Sequence, residues 1–210
     1  MARPPQDPQI RINEILDAAD QLFSTKGYHT TTISDIAKKM GVAQGMLYYY
    51  FKSKEELLET LLDRHAASLV SEIKNIHCLT NTPSEKIALT VSATLHRASY
   101  KDGLLLNMLY DAQNLHIKEK LFRQIELALT PWLIKIIEDG ISTHDFCISH
   151  PPTAVDYILV IVDFLSEALY QKTSAEILSF RFRMAEALIE KTLGAQEKTI
   201  HILLTGQAKT

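Results

Sequence analysis

Residues 31–57 decide the fold, and they read TTISDIAKKMGVAQGMLYYYFKSKEEL. Thr32 is a typical helix N-cap residue with an acidic residue three positions later, and apolar residues at helical spacing follow it from Ile33 to Met40. Gly41 is suited to end that helix, and about two further helical turns follow it. Ser53 then begins a capping box that opens a longer helix. The stretch therefore predicts two short helices joined by a tight turn, with a long helix after them.

Helical spacing of apolar residues continues over the rest of the chain, with one earlier helix that ends at Gly27. No strand alternation of any length is present. The polar breaks that separate the later helices are Asn81–Ser84, Lys101–Gly103, the region around Asn114, Ile141–Pro152 and Lys172–Ser174. We therefore predict an all-α fold of about nine helices. A three-helix N-terminal helix-turn-helix domain would span residues 1–53, and a larger helical domain would span residues 54–210.

Composition and charge restrict the classes of function. With 46% hydrophobic and 22% charged residues, the chain can bury a core, so a disordered protein is excluded. The net charge of −3 excludes a generally basic, non-specific nucleic-acid binder. However, residues 1–54 carry a charge of +2 and residues 55–210 a charge of −5. This asymmetry makes the N-terminal part the one that would face a polyanion.

Cellular location follows from cysteine content and apolar runs. The two cysteines, Cys78 and Cys147, cannot build a disulfide framework, and residues 1–7 lack the apolar segment of a signal peptide. The longest apolar run, residues 157–162, is far shorter than the roughly 18 residues that suggest a membrane span. We expect a soluble cytoplasmic protein without a membrane partner.

The third helix has one face for the core and one for a partner. On a helical wheel its apolar side holds Ala43, Leu47, Tyr50 and Phe51. The opposite side presents Gly45, Tyr48, Tyr49 and Lys52, with Gln44 and Met46 on its flanks. A glycine allows close approach, tyrosine hydroxyls and lysines can bond phosphates, and a helix N-terminus such as the one near Lys54 favours an anion. The alternative is that these tyrosines are ordinary packing residues.

Residues 31–57, with the helix before them, resemble the helix-turn-helix of the tetracycline-repressor (TetR/AcrR) family of bacterial transcriptional regulators. The resemblance implies that Thr32, Tyr48 and Lys54 contact DNA phosphates and that Gln44, Gly45 and Tyr49 can reach base edges. Two departures put the operator sequence in question. The family usually has Ser or Thr at the N-cap of the third helix, where this chain has Ala43. A basic residue often follows, where this chain has Gln44, which can still pair with adenine.

By the same resemblance, the second domain holds a small effector between its helices. Polar-tipped or aromatic residues on amphipathic helices are the candidates for its pocket. They are His96, Tyr100, Asn107, Met108, Tyr110, Trp132 and Tyr157. Asp163 joins them because a carboxylate inside an apolar run must be solvated, paired or facing a ligand. Taken singly, each of these seven residue types is more often an ordinary core or surface residue than a pocket residue.

The last two helices have apolar residues on more than one face, over Val155–Leu169 and Ile177–Leu193. A helix with two apolar faces needs two partners, so we predict a two-fold homodimer joined through these helices. The predicted interface residues are Val155, Ile158, Val162, Leu165, Ile177, Phe180, Met184 and Leu188. The alternative is a helix buried on all sides within one chain.

Catalysis and metal binding find little support. The loop with His144, Cys147 and His150 offers possible metal ligands, but their spacing matches no zinc module, so we expect no metal and no other cofactor. Glycine-rich phosphate loops, nucleophile elbows and His-Glu-x-x-His motifs are absent from the sequence, so we expect no enzyme.

The resulting hypothesis is a DNA-binding repressor, released from an inverted-repeat operator on double-stranded DNA by a small apolar or aromatic effector. Two alternatives stay open. One is an adaptor or coactivator that uses its helix-turn-helix for protein contact, and the other is a constitutive DNA-binding protein without an effector. Exposed aliphatic residues would be expected on a protein-binding surface, whereas the third helix presents tyrosines and a lysine.

Overall fold

Eight helices account for most of the residues that the structure describes. The computed structural model describes residues 7–110 and 115–203, apart from the side chains of residues 100–105, 107–109, 115–117 and 121. The helices are α1 (Pro8–Lys26), α2 (Ile33–Met40), α3 (Gln44–Tyr50), α4 (Lys54–His77), α5 (Pro83–Tyr110), α6 (Leu115–Ser142), α7 (Pro151–Tyr170) and α8 (Ala175–Leu193). The predicted all-α class is confirmed.

The chain divides into two compact units, residues 1–65 and 66–210. The sequence had placed the domain boundary between residues 53 and 54. In the structure the N-terminal unit also includes the first half of α4, because Leu57, Leu58, Leu61 and Leu62 are all buried.

The N-terminal unit packs α1, α2, α3 and the start of α4 around one apolar core. Its buried side chains include Ile15, Leu16, Ala19, Phe23, Ile33, Ile36, Leu47, Phe51, Leu57, Leu58 and Leu61. Each large aliphatic or aromatic side chain buried in this way contributes roughly 1.5–3 kcal/mol. The predicted ends of α1 at Gly27 and α2 at Gly41 are confirmed, as is the length of about two turns for α3.

The C-terminal unit is built around a second apolar core. Helices α5, α6, α7 and α8 each bury one stripe in it, together with the last part of α4. The central residues include Leu69, Ile73, Ile87, Val91, Leu95, Leu133, Ile136, Val155, Ile158, Val162, Leu165, Ile189 and Leu193.

Helix α5 differs from the sequence prediction. A break was expected at Lys101–Gly103, but the helix continues through these residues to Tyr110, which is one reason why the described residues hold eight helices where about nine were predicted. One glycine costs a helix only about 1 kcal/mol. The buried stripe of Leu95, Ala98 and Leu106 runs across it, so packing outweighs that cost. The break expected around Asn114 lies outside the described residues.

The segment after α8, residues 195–203, folds back onto the C-terminal unit. Ile200 and Ile202 join its core. The Glu190 carboxylate, which is only 6% exposed, accepts hydrogen bonds from the backbone N–H groups of Thr199 (2.8 Å) and Ile200 (2.9 Å). Glu186 accepts one from Ile202 at 2.8 Å. No pattern in the sequence predicts where this segment lies.

Candidate nucleic-acid interface

Helix α2 begins in a network of hydrogen bonds around Asp35. The Thr32 hydroxyl accepts a hydrogen bond from the Asp35 N–H at 3.1 Å, and the Asp35 carboxylate accepts from the Thr32 N–H at 2.9 Å and the Thr32 hydroxyl at 2.8 Å. Lys26 forms an ion pair with the same carboxylate at 2.7 Å. The Lys26 hydrogen bond and those from Thr32 hold the pKa of Asp35 well below its ordinary value. Thr32, predicted to contact phosphate, therefore also fixes the start of α2.

The turn from α2 to α3 positions α3 without a side-chain cap. Gly41 has the left-handed backbone that ends α2, with φ of 68°. Ala43 is the N-cap of α3 and supplies no side-chain hydrogen bond, as expected from the departure noted in the sequence. The wheel had placed Ala43 on the core side. It is exposed, because an N-cap residue has extended backbone and lies outside the helix.

Leu47 and Phe51 anchor α3 in the core of the N-terminal unit, as predicted. The opposite side of α3 then faces outward. Gln44, Gly45, Tyr48, Tyr49 and Lys52 are all exposed and Met46 is half-buried. The structure thus brings these six candidate DNA-binding residues together on and beside one short helix.

Two exposed tyrosine rings lie on this outward face. Tyr48 is 50% exposed and Tyr49 is 82% exposed, and the Tyr49 ring packs edge-on against Tyr50 with 5.0 Å between centroids. Around Gly45, a Cβ atom would meet nothing within 4 Å. The face therefore combines hydroxyl and amide groups, one ammonium and a position where backbone can approach a partner closely.

Lys54 is placed differently from what the sequence suggested. Its ammonium donates to the backbone carbonyls of Tyr28 (3.0 Å), Thr31 (3.1 Å) and His29 (3.4 Å), and it lies 4.3 Å from the centroid of the Tyr28 ring. Burial lowers the pKa of Lys54 and raises the pKa of Tyr28 to about 12, the second with a smaller contribution from the charge of Glu55.

Sequence reasoning missed the support behind this face. Lys26, Tyr28 and Asp35 were not predicted as functional residues, although the acidic residue three positions after Thr32 was a visible capping signal. Tyr28 had no such signal, because its contact with Lys54 joins residues 26 positions apart.

The effector candidates whose side chains the structure describes do not gather at one place. His96 and Tyr157 are exposed. Trp132 is half-buried beside His77, with 5.7 Å between ring centroids, and the Lys135 ammonium lies 4.7 Å from its centroid. The side chains of Tyr100, Asn107 and Met108 lie outside the described residues.

Tyr110 and Asp163 do meet. The Tyr110 hydroxyl donates to the Asp163 carboxylate at 2.6 Å, and its ring stacks on Tyr170 with 5.3 Å between centroids. The Lys118 ammonium lies 3.7 Å from the centroid of Tyr110 and 3.9 Å from the Asp163 carboxylate. Burial, the hydrogen bond to Asp163 and the charges of Asp163 and Glu167 raise the pKa of Tyr110. We call Tyr110, Lys118, Asp163 and Tyr170 the Tyr110 cluster.

The α7 residues predicted for the dimer interface need correction. Val155, Ile158, Val162 and Leu165 are at most 7% exposed, because this stripe of α7 packs into the core of its own chain. They are therefore not available to a second subunit.

The apolar residues that α7 leaves exposed belong to another stripe, Tyr157, Val160 and Phe164. On α8 the predicted residues are exposed: Ile177 52%, Phe180 60%, Met184 63% and Leu188 47%. Helices α7 and α8 are in contact, and Arg181 of α8 covers the Phe164 ring at 4.9 Å. We call these seven exposed residues the α7–α8 apolar face.

Within residues 7–110 and 115–203, no group of three or more His, Cys, Asp or Glu side chains could hold a metal ion. In the loop between α6 and α7, the His150 ring instead accepts the Thr153 N–H and caps α7. Both cysteines are free and exposed. None of the described helices combines the length and the apolar character that crossing a membrane requires.

Comparison with known proteins agrees with this geometry. Residues 15–61 match the family model described as bacterial regulatory proteins, tetR family. The fatty acid metabolism regulator protein of Bacillus subtilis is 30% identical over 110 residues, which cover 51% of this chain and 57% of that protein. The HTH-type transcriptional repressor KstR2 of Mycolicibacterium smegmatis is 35% identical over 83 residues, 40% of each chain. The chain thus spans about half the length of these relatives.

The fold is shared over a longer range than the sequence. The crystal structure of the regulator FadR from Bacillus subtilis, in complex with stearoyl-CoA, superposes with a TM-score of 0.65 at 23% identity. That match covers 88% of this chain and 99% of FadR. Residues 15–61 therefore match the helix-turn-helix of the tetR family of bacterial regulatory proteins, and the fold of the chain is similar to that of regulators of this family.

Proposed function

We propose that the protein is a dimeric DNA-binding transcriptional repressor that a small apolar effector releases from an inverted-repeat operator. The observation that carries this proposal is the outward face of α3, where Gln44, Gly45, Tyr48, Tyr49 and Lys52 are exposed together. A repressor of this kind acts on chromosomal DNA, so we place the protein in the cytoplasm. Its relatives are regulators, a non-enzymatic class.

The chemistry of the outward face favours DNA over a protein partner. A protein interface has an apolar centre with few charges, whereas this face presents two tyrosine hydroxyls, an amide and an ammonium. Phosphate contacts from Tyr48 and Lys52 would set the register on the duplex. The Gln44 amide would pair with a base edge in the major groove.

The test of DNA binding begins with selection of a duplex from a randomised pool. Affinity of the selected duplex should fall steeply as salt rises, and Tyr48→Phe should weaken selected and unrelated duplexes alike. Gln44→Ala should relax preference at one base position by about 1–3 kcal/mol. An affinity that hardly responds to salt would instead favour the adaptor alternative.

The Gly45→Ala variant tests whether DNA lies close to the backbone at Gly45. The added Cβ has open space in the protein, and alanine is the better helix former by up to about 1 kcal/mol, so the variant should be at least as stable as the parent. A loss of DNA affinity in that variant would therefore report a clash with DNA. Unchanged affinity would place Gly45 away from the duplex.

The α7–α8 apolar face supports a dimer. Seven large apolar side chains on two adjacent helices leave an apolar surface that a second copy of the same face would cover. Two α3 helices related by a two-fold axis would read half-sites about one DNA turn apart, roughly 34–36 Å, or somewhat more.

The Tyr110 cluster supports an effector site in the C-terminal unit. A half-buried tyrosine whose hydroxyl is bonded to a carboxylate is a polar anchor beside an apolar core. The FadR structure named above contains stearoyl-CoA, which makes long-chain acyl-CoA the first compound to test.

The effector test titrates stearoyl-CoA, stearate and free coenzyme A against the DNA complex. The active compound should weaken DNA binding and, by reciprocity, bind the DNA-bound dimer less tightly by about 1–3 kcal/mol. Tyr110→Phe should change that coupling while DNA affinity without effector stays at the parent value. If none of these or a broad set of apolar compounds acts, the constitutive alternative replaces the effector-controlled one.

A further inference from the structure

The Lys54 ammonium donates all of its hydrogen bonds to acceptors inside the N-terminal unit. An ammonium has three N–H donors. The structure provides three backbone acceptors for them, the carbonyls of Tyr28 at 3.0 Å, Thr31 at 3.1 Å and His29 at 3.4 Å. The face of the Tyr28 ring lies 4.3 Å away and adds a cation–π contact. A phosphate would have to compete with these partners for the same protons.

These carbonyls belong to the turn between α1 and α2. The turn is otherwise held at its start, where the buried Thr31 hydroxyl donates to the Gly27 carbonyl at 2.7 Å and the Thr31 N–H donates to the Tyr28 carbonyl at 3.2 Å. The Tyr28 ring packs edge-on against Phe23 of the core, with 5.2 Å between centroids. Lys54 thus links the first turn of α4 to a turn that is itself fixed to α1.

The residue that follows this turn is Thr32, the N-cap of α2. The direction in which α2 leaves the turn determines where α3 lies, since α2 and α3 pack together and are joined by only three residues. A change at the carbonyl of Thr31 would therefore move both helices of the helix-turn-helix. Lys54 is the side chain that holds that carbonyl.

Lys52, two residues earlier, contrasts with Lys54. Its side chain is exposed, and its backbone N–H donates to the Glu56 carboxylate at 2.5 Å. Lys54 is half-buried, and its burial lowers the pKa of its ammonium. The two lysines at the start of α4 therefore have different environments and are suited to different tasks.

We propose that Lys54 is a positioning residue for DNA recognition: it holds the Tyr28–Thr31 turn so that α2 and α3 present their outward face, while Lys52 supplies the cation that contacts phosphate. This proposal rests on the proposed DNA-binding function. It reassigns the role that the sequence had suggested for Lys54, since the ammonium is directed at the protein's own backbone.

The test compares four variants, Lys54→Met, Lys54→Arg, Lys52→Met and Lys52→Arg, on the selected duplex over a range of salt concentrations. All measurements are made at a temperature where circular dichroism shows each variant to be fully folded. An arginine preserves a phosphate contact, because the guanidinium keeps the charge and bonds phosphate well. It does not preserve the Lys54 arrangement, because a planar fork cannot direct three N–H groups at three converging carbonyls.

We expect Lys54→Met and Lys54→Arg both to weaken DNA binding, by about tenfold or more, with the salt slope unchanged. Lys52→Met should lower the slope by about one, and Lys52→Arg should retain the parent slope and affinity. Hydrogen exchange at the Thr31 and Thr32 amides should accelerate in both Lys54 variants and stay at the parent rate in both Lys52 variants.

Three results would overturn the proposal. A slope lowered by about one in Lys54→Met, with binding retained in Lys54→Arg, would make Lys54 a phosphate contact. Parent affinity in both Lys54 variants would make it a purely structural residue, and unchanged exchange at Thr31 and Thr32 would show that it does not hold the turn. If the parent protein binds no duplex, the proposed function fails. Hydrogen exchange at the Thr31 and Thr32 amides would still show whether Lys54 stabilises the turn.

Discussion

The outward surfaces of α3 and α8 differ in chemistry. Helix α3 exposes Tyr48 and Tyr49, whose rings end in hydroxyls, beside an amide and an ammonium. Helix α8 exposes Ile177, Phe180 and Met184, which have no hydrogen-bonding group. The polar groups of the α3 surface can bond to water when no partner is bound. The second leaves water only against another apolar surface, so the two units need different kinds of partner.

The largest expected effect concerns the α8 side of this comparison. Phe180→Glu places a carboxylate at the middle of the α7–α8 apolar face, beside the Arg183 guanidinium, whose carbon lies 4.6 Å from the Phe180 ring centroid. Burying this carboxylate in a dimer interface is unfavourable even when it is paired, because the desolvation cost can exceed the attraction between the charges. We expect the variant to sediment as a monomer and to lose at least about 100-fold in affinity for the inverted repeat, because a monomer has one helix-turn-helix and contacts one half-site.

Leu127→Glu is the matched control. Leu127 is 70% exposed on α6 and lies outside the α7–α8 apolar face, so the same charge there should leave the dimer intact. A Phe180→Glu protein that sediments as a dimer would contradict the assignment of this face.

A smaller effect should separate the two apolar stripes of α7. Ile158 is 1% exposed and Val160 is 65% exposed. In the Phe180→Glu background, Ile158→Ala should lower the free energy of unfolding by about 2–5 kcal/mol, because it opens a cavity in the core. Val160→Ala should change it by less than about 0.5 kcal/mol. Urea unfolding measures both, and equal losses would show that the stripes are not divided as described.

The smallest effect compares the caps of α2 and α8. The pKa of Asp35 is lowered in the folded protein, so its stabilisation is complete above the ordinary value of 3.8 and is lost as pH falls below it. The difference in melting temperature between the parent and Asp35→Asn should therefore be constant from pH 5 to 7 and shrink below about pH 4. A difference that persists unchanged at pH 3 would contradict the role given to the carboxylate.

The contribution of the α8 cap to stability should not depend on pH. Its N-cap, Ser174, accepts the Ile177 N–H through a hydroxyl, which does not titrate. Ser174→Ala should lower stability by about 0.5–2 kcal/mol. That loss should be the same at pH 3 and pH 7 when it is measured by thermal unfolding.

Local chemistry made the N-terminal unit predictable from sequence. Gly27, Thr32 and Gly41 each mark a helix boundary through their own backbone or side chain, and the structure has those boundaries where they were expected. The outward face of α3 was predictable for the same reason, since its buried anchors, Leu47 and Phe51, lie within the same few turns.

Features that depend on distant residues were not predictable. Both stripes of α7 are apolar at helical spacing, and only the positions of the neighbouring helices decide that Ile158 is buried while Val160 is exposed. The Lys54 ammonium meets carbonyls 23 to 26 positions earlier in the chain, a distance that no periodicity reveals. The pairing of Tyr110 with Asp163 spans 53 positions.

The segment after α8 has a practical consequence for anyone who trims or labels the protein. Glu190 is buried and depends on the N–H groups of Thr199 and Ile200 for its hydrogen bonds. Deletion from Thr199 onward would leave that carboxylate without donors and uncover the pocket that Ile200 fills, at a combined cost of several kcal/mol. A clipped preparation that lacks Ile200 should therefore melt at a lower temperature and aggregate.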